Sequence, residues 1–154
     1  MNEKKVREQL AYSFDWDKAH ENAVSLFSNI THEFINEKAM PNGRTLWDLL
    51  EHLRICQFDI LDFIRNPNYK DLSWPDDYWP PEEEVSFERW EKSKADFFND
   101  SKQLKKIALD PSLDITAPLA HAPDYTILRE LILVTNHNSY HLGQFALARR
   151  SLGI

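Results

Sequence analysis

Glycine is almost absent from this chain, with three in 154 residues. Tight hairpins draw on glycine for their positive φ angles, so a fold built from many short strands is disfavoured. Valine is scarce as well, whereas Leu, Ala, Glu and Lys are plentiful, and that balance favours helices. A lone cysteine, Cys56, excludes an internal disulfide and fits a reducing, cytoplasmic setting. The charged start, Met1 to Lys5, leads into no continuous apolar run, so neither a signal peptide nor a membrane helix is expected. Positive charge is in deficit: 18 basic against 25 acidic residues leave a net charge of -7, which repels a phosphate backbone and argues against nucleic acid as a partner. What remains is 42% hydrophobic and 28% charged, the composition of an ordinary folded protein. One domain over residues 1–154 with its own core is expected, and its class is all-α.

Apolar periodicity divides the chain into four helical stretches. Trp16, Ala19, Ala23, Leu26, Phe27, Ile30 and Phe34 recur at intervals of three and four, which predicts a first helix from Trp16. Val6 and Leu10 form a shorter pattern before it, either its first turns or a separate small helix broken near Asp15 or Asp17. Met40-Pro41-Asn42-Gly43 reads as a turn. Thr45 and Asp48 resemble a capping box and open a second helix, from about Thr45 to Arg65, with Leu46, Leu49, Leu50, Leu53, Cys56, Ile60, Leu61 and Ile64 on its apolar stripe. Ser86 caps a third stretch containing Phe87, Trp90, Phe97, Leu104 and Ala108. A fourth starts near Asp124 to Thr126 and stops at Gly153, with Arg149 and Arg150 in the last turns where the helix dipole favours cations.

Two connections are too long for a simple up-and-down bundle. Residues 66–85 hold Pro67, Pro75, Pro80 and Pro81 and cannot form a regular helix. At roughly 3.3 Å per residue this segment can span the ~30 Å of a 20-residue helix, which allows the second and third helices to run parallel.

The sharpest local feature is His137-Asn138-Ser139-Tyr140-His141. Positions i and i+4 of a helix point the same way, so two imidazoles there can reach one ion. The spacing is weak evidence by itself, and the plainer reading is two polar residues on a hydrogen-bonded helix face. Yet Leu131, Val134, Leu142, Phe145 and Ala146 place both histidines beside a core, where imidazoles need partners. His52 lies beside the stripe of the second helix and can face the pair. Three neutral histidines leave a coordination position open, as in catalytic rather than structural zinc. Asn138 follows His137 where a zinc protease would have Glu, and no Glu stands three residues before any histidine, so protease and di-iron patterns are excluded.

Two stretches, Thr45-Leu46-Trp47-Asp48-Leu49-Leu50-Glu51-His52-Leu53-Arg54 and His137-Asn138-Ser139-Tyr140-His141-Leu142-Gly143-Gln144 followed by Arg149-Arg150-Ser151-Leu152-Gly153, resemble the DinB/YfiT-like metalloenzymes. That resemblance implies a four-helix bundle with an up-down-down-up course, frequent homodimers, and a nickel or zinc ion on His52, His137 and His141. It also implies, for some members, transfer of a low-molecular-weight thiol such as bacillithiol, mycothiol or glutathione to small electrophiles. The competing expectation is a non-catalytic metal-binding or stress-response protein whose ion ties two helices together.

Further residues carry alternatives. Cys56, one turn after His52, is a fourth ligand closing the site or a small buried hydrophobe. Asp48 orients His52 or only caps its helix. Tyr140 and Gln144 line the pocket or pack between helices. His20, His32 and His121 read as surface residues, with His121 the reserve ligand. The segment from Trp74 to Glu84 is a lid, a dimer contact or a wrap over apolar surface.

Overall fold

The computed structural model describes residues 3–15 and 17–154. Its helices are α1 (Glu3–Ser13), α2 (Ala23–Leu26), α3 (His32–Ile35), α4 (Leu46–Arg65), α5 (Phe87–Leu109) and α6 (Ile127–Leu152). A small antiparallel hairpin, β1 (Pro118–Leu119) and β2 (Ala122–Thr126), precedes α6. The chain is mainly helical, as its composition implies, and none of the described helices is long and apolar enough to cross a membrane.

The N-terminal region corrects the expectation drawn from periodicity. The helix there is the separate one carrying Val6 and Leu10, and residues 17–35 form the one-turn helices α2 and α3 instead of one continuous helix. Asn22 caps α2 by accepting from the Ser25 amide, Thr31 starts α3, and Asn29 between them takes a left-handed φ of 56°. Asn tolerates that conformation better than most residues, and it ends helical propagation. Ala23, Leu26, Phe27 and Ile30 are buried all the same. Their spacing recorded burial along an irregular path. Trp16, from which the helix was expected to start, lies outside the described residues. The hairpin, too, has no counterpart in the sequence reading.

The second helix agrees closely with expectation. Thr45 Oγ1 accepts from the Asp48 amide at 2.9 Å and Asp48 accepts from the Thr45 amide at 3.0 Å, a complete capping box. Ser86 and Thr126 cap α5 and α6 with a single bond each, accepting from the Arg89 and Arg129 amides, and Gly153 closes α6 at a left-handed φ of 81°.

Contacts between the long helices give their relative directions. Along α4, Glu51 accepts from Ser93, Gln57 donates to the Phe97 carbonyl and Arg65 reaches Gln103. Partner numbers rise together, so α4 and α5 are parallel, and residues 66–85 make the return. His52 meets His141 whereas Gln57 meets Asn138, so α6 is antiparallel to α4. Arg7 donates to the carbonyls of Ala108, Asp110 and Leu113, and Lys105 pairs with Asp15, which sets α1 antiparallel to α5.

The core consists of two apolar clusters. One includes Leu46, Trp47, Leu50, Leu53, Trp90, Phe97, Leu142 and Phe145. The other includes Leu61, Ile64, Leu104, Ile107, Leu131 and Val134. On each of α4, α5 and α6 the residues joining the clusters are polar: Gln57, Ser101 and Asn138 are all buried. This polar waist is the level at which the histidines enter.

Candidate metal centre

His52 on α4 and His137 and His141 on α6 meet at the waist. His52 Nε2 lies 3.1 Å from His141 Nε2 and 3.2 Å from His137 Nε2. The α-helical i,i+4 relation puts the two α6 imidazoles on one face, with ring centroids 4.5 Å apart. His52 is 1% exposed and His141 8%, and His137 is half-buried.

Hydrogen bonds to the far side of each ring decide which nitrogen carries the proton. His52 Nδ1 donates to the main-chain carbonyl of Tyr78 at 2.7 Å, and His141 Nδ1 donates to the Gln144 side-chain oxygen at 2.8 Å. The Tyr78 carbonyl has no proton to give and Gln144 presents its oxygen, so with those partners each neutral ring has a bare Nε2 lone pair. The two lone pairs face one another at 3.1 Å. His137 can donate to His52 at best, and its own Nδ1 is buried without a partner. The site therefore has more acceptors than protons, and a shared proton does not resolve the excess. Burial pushes His52 and His137 down to about 4, with the neighbouring imidazoles adding to the effect, and burial lowers His141 as well. Nitrogens bound at ~2.0–2.1 Å to one ion lie ~2.9–3.4 Å apart, and both separations from His52 fall in that interval.

Cys56 belongs to the same neighbourhood. His52, Cys56 and His137 present ligand atoms within 4.8 Å of one another, a group that can hold a metal ion. The Cys56 sulfur lies 3.6 Å from His52 Nδ1 and 3.7 Å from Nε2. Near-equal distances set it against the ring, not along the lone pair. Burial pushes its thiol up to about 12.

The remaining candidates sort clearly. Asp48 serves the helix cap, and the partner of His52 is instead the Tyr78 carbonyl. Gln144 orients His141. Tyr140 is exposed, with its ring edge-on to His141 at 4.9 Å. His20 and His32 are exposed, and His121 sits in the hairpin turn against Phe63, among the lining residues of a different cavity.

Residues that the sequence did not single out complete the surroundings. Trp79 stacks on His52 with ring centroids 3.8 Å apart and planes 2° from parallel, and Arg44 covers the other face of that indole at 4.1 Å. Asp59, seven residues after His52 on the same face of α4, accepts from the hydroxyls of Tyr69 at 2.8 Å and Tyr78 at 3.0 Å. The segment 66–85 is thus strapped across the site by its own backbone and by two tyrosines. The His52, Cys56, Asp59 spacing was a usable signal for Asp59; the backbone acceptor had none. Beside the three imidazoles opens a cleft of about 670 Å³, lined by Ile60, Trp74, Tyr78, Trp79, Leu133 and Tyr140 among others.

No curated protein and no solved structure matches the chain. The family model of the DinB superfamily, in contrast, matches residues 15–145, which include all of α4 and the part of α6 that bears His137 and His141. With that span matched and all three histidines inside it, the chain belongs to the DinB superfamily.

Proposed function

We propose that the protein holds one divalent transition metal, nickel or zinc, on His52, His137 and His141, and transfers a low-molecular-weight thiol to small electrophiles. The observation that carries this reading is the opposition of the His52 and His141 lone pairs, each fixed by a hydrogen bond to its Nδ1. A bare acceptor pair in a buried position is costly unless a cation lies between its members. When bound, such an ion supplies Lewis acidity, lowering the pKa of a thiol so that the thiolate is available near neutral pH.

The chain's own groups support the rest. Neutral imidazoles bring no negative charge, so the site keeps its attraction for an anionic sulfur. Trp79 and the strap exclude water from one side of His52, and the cleft admits an electrophile from the other. With a haloaromatic substrate the balance is simple. The thiol loses its proton to solvent, a C–S bond forms, the C–halogen bond breaks, and the halide leaves with its electron pair. The test is the rate of addition of bacillithiol, mycothiol, glutathione and cysteine to haloaromatics and epoxides by metal-loaded and chelated protein. A metal-dependent rate is expected, and its absence across the panel sinks the transferase reading.

One observation favours a second reading, a non-catalytic metal-binding or stress-response protein: Cys56 lies close enough to His52 and His137 to close the coordination shell. In that case Cys56→Ser lowers metal affinity, whereas an open three-histidine site leaves it unchanged. The proposal also takes in a cytoplasmic setting and a homodimer, for which exposed Ile132 and Leu147 on α6 offer apolar surface; sedimentation of the native protein tests the dimer.

A further inference from the structure

The cleft beside the histidines has a chemical character of its own. Its volume, about 670 Å³, falls in the ~300–1,000 Å³ range of small-molecule sites. Apart from the three histidines, Cys56, Asp59 and Asn136, its walls are aromatic and aliphatic: Trp74, Tyr78 and Trp79 on the strap, Ile60 on α4, Leu133 and Tyr140 on α6. Trp74 is 72% exposed and Tyr140 65%, although both are large rings that ordinarily gain from cover. Trp74 leans on Tyr78 with centroids 5.3 Å apart, so its indole is held at the cleft and not splayed at random.

The charges around the cleft are already committed. None of its lining residues is Lys or Arg. Arg44, the nearest cation to the stack, lies on the far face of Trp79. Asp59 lines the cleft but spends its carboxylate on the hydroxyls of Tyr69 and Tyr78. An anion entering here finds no counter-charge from the walls, and a cation finds no free carboxylate. A flat ring finds several faces.

We propose that this cleft binds a flat, uncharged aromatic molecule, held against Trp74, Tyr78 and Tyr140 next to His137 and His141. As the identity of the electrophile, this rests on the thiol-transfer reading; as a binding site, it stands apart from it. A charged thiol then enters by its sulfur end alone and leaves its polar remainder in solvent, and the aromatic partner supplies the selectivity.

The test is equilibrium dialysis of the whole chain, metal-loaded and chelated, with no thiol present, against naphthol, its saturated counterpart decalol, and naphthoate. Naphthol is expected to bind the chelated protein, in which no ion draws a carboxylate, at least about tenfold more tightly than either of the others, a difference the size of one good aromatic contact. Trp74→Ala and Tyr140→Ala are each expected to weaken naphthol by about tenfold, and Trp74→Phe to retain most of the affinity. Both alanine changes fall on exposed side chains, so folding is not at stake. Equal naphthol binding by the Trp74→Ala, Tyr140→Ala double variant overturns the assignment, as does naphthoate or decalol binding the chelated protein as tightly as naphthol. Naphthol binding that persists when no thiol reacts removes the reaction and keeps the cleft; a metal-dependent thiol reaction in a protein that ignores naphthol does the reverse.

Discussion

Two polar pairs join α4 to α6 about one turn apart, and they are built to opposite rules. Gln57 and Asn138 make a donor-to-acceptor amide pair: Asn138 donates to Gln57, and Gln57 donates onward to the Phe97 carbonyl, with only the Asn138 side-chain oxygen left over. Donor meets acceptor, and the helices are locked. One turn away His52 and His141 set acceptor against acceptor at 3.1 Å. The contact between the amides is satisfied within the polypeptide, whereas the imidazole pair offers two lone pairs that a cation can take up. The contrast shows how a single helix seam can carry a structural lock and a candidate ligand site through donor and acceptor arithmetic alone.

The largest effect is expected from breaking the open pair. His141→Ala removes one of the facing nitrogens and should weaken metal binding by more than the roughly 10–100-fold typical of losing a residue that only hydrogen-bonds a ligand, with far-UV helicity kept. Competitive titration with a chromogenic chelator reads the affinity, and full metal retention removes His141 from the site.

Acid gives the second effect. In the metal-free protein His52 and His137 stay neutral down to about 4, whereas unfolded imidazoles gain protons near about 6.5. Between those values the unfolded chain binds more protons, so this contribution to stability is present above about pH 6.5 and is lost as pH falls towards about 4. Thermal melts of chelated protein should show the decline, and a His52→Gln, His137→Gln double variant should flatten it. An unchanged decline in that variant would assign it to other groups.

The amide pair should behave differently. Gln57→Ala leaves the Asn138 amide without its acceptor and removes a second bond to the Phe97 carbonyl, which should cost about 1–3 kcal/mol in denaturant unfolding while metal content per chain is unchanged. Loss of metal in this variant would mean that lock and ligand site are one unit. Smallest is Thr45→Ala, which deletes the cap of α4 and should cost about 1 kcal/mol with no effect on metal affinity.

Legibility in the sequence followed the same division between side chain and main chain. The α4 bounds, its capping box and the meeting of His52 with His137 and His141 could all be read, because each depends on side-chain identity at fixed helical spacing. The N-terminal region misled, because Ala23, Leu26, Phe27 and Ile30 are buried at helical intervals while the chain between them turns through Asn29. Periodicity reports which residues face a core and is silent on whether the path between them is continuous. The hairpin escaped notice because its short strands are rich in polar residues and proline. Trp79 was visible as an aromatic in a proline-rich stretch, but its stacking on His52 depends on how residues 66–85 return across the bundle.

The acceptor for His52 Nδ1 is the peptide carbonyl at residue 78, so the tautomer is indifferent to the amino acid encoded there. Among relatives, that column can drift in identity while the histidine keeps its proton in place, and a comparison of side chains would score the position as unimportant. Strap length is what must be inherited. Insertions or deletions within residues 66–85 should therefore be selected against more strongly than substitutions, leaving a footprint in gap patterns where residue conservation leaves none.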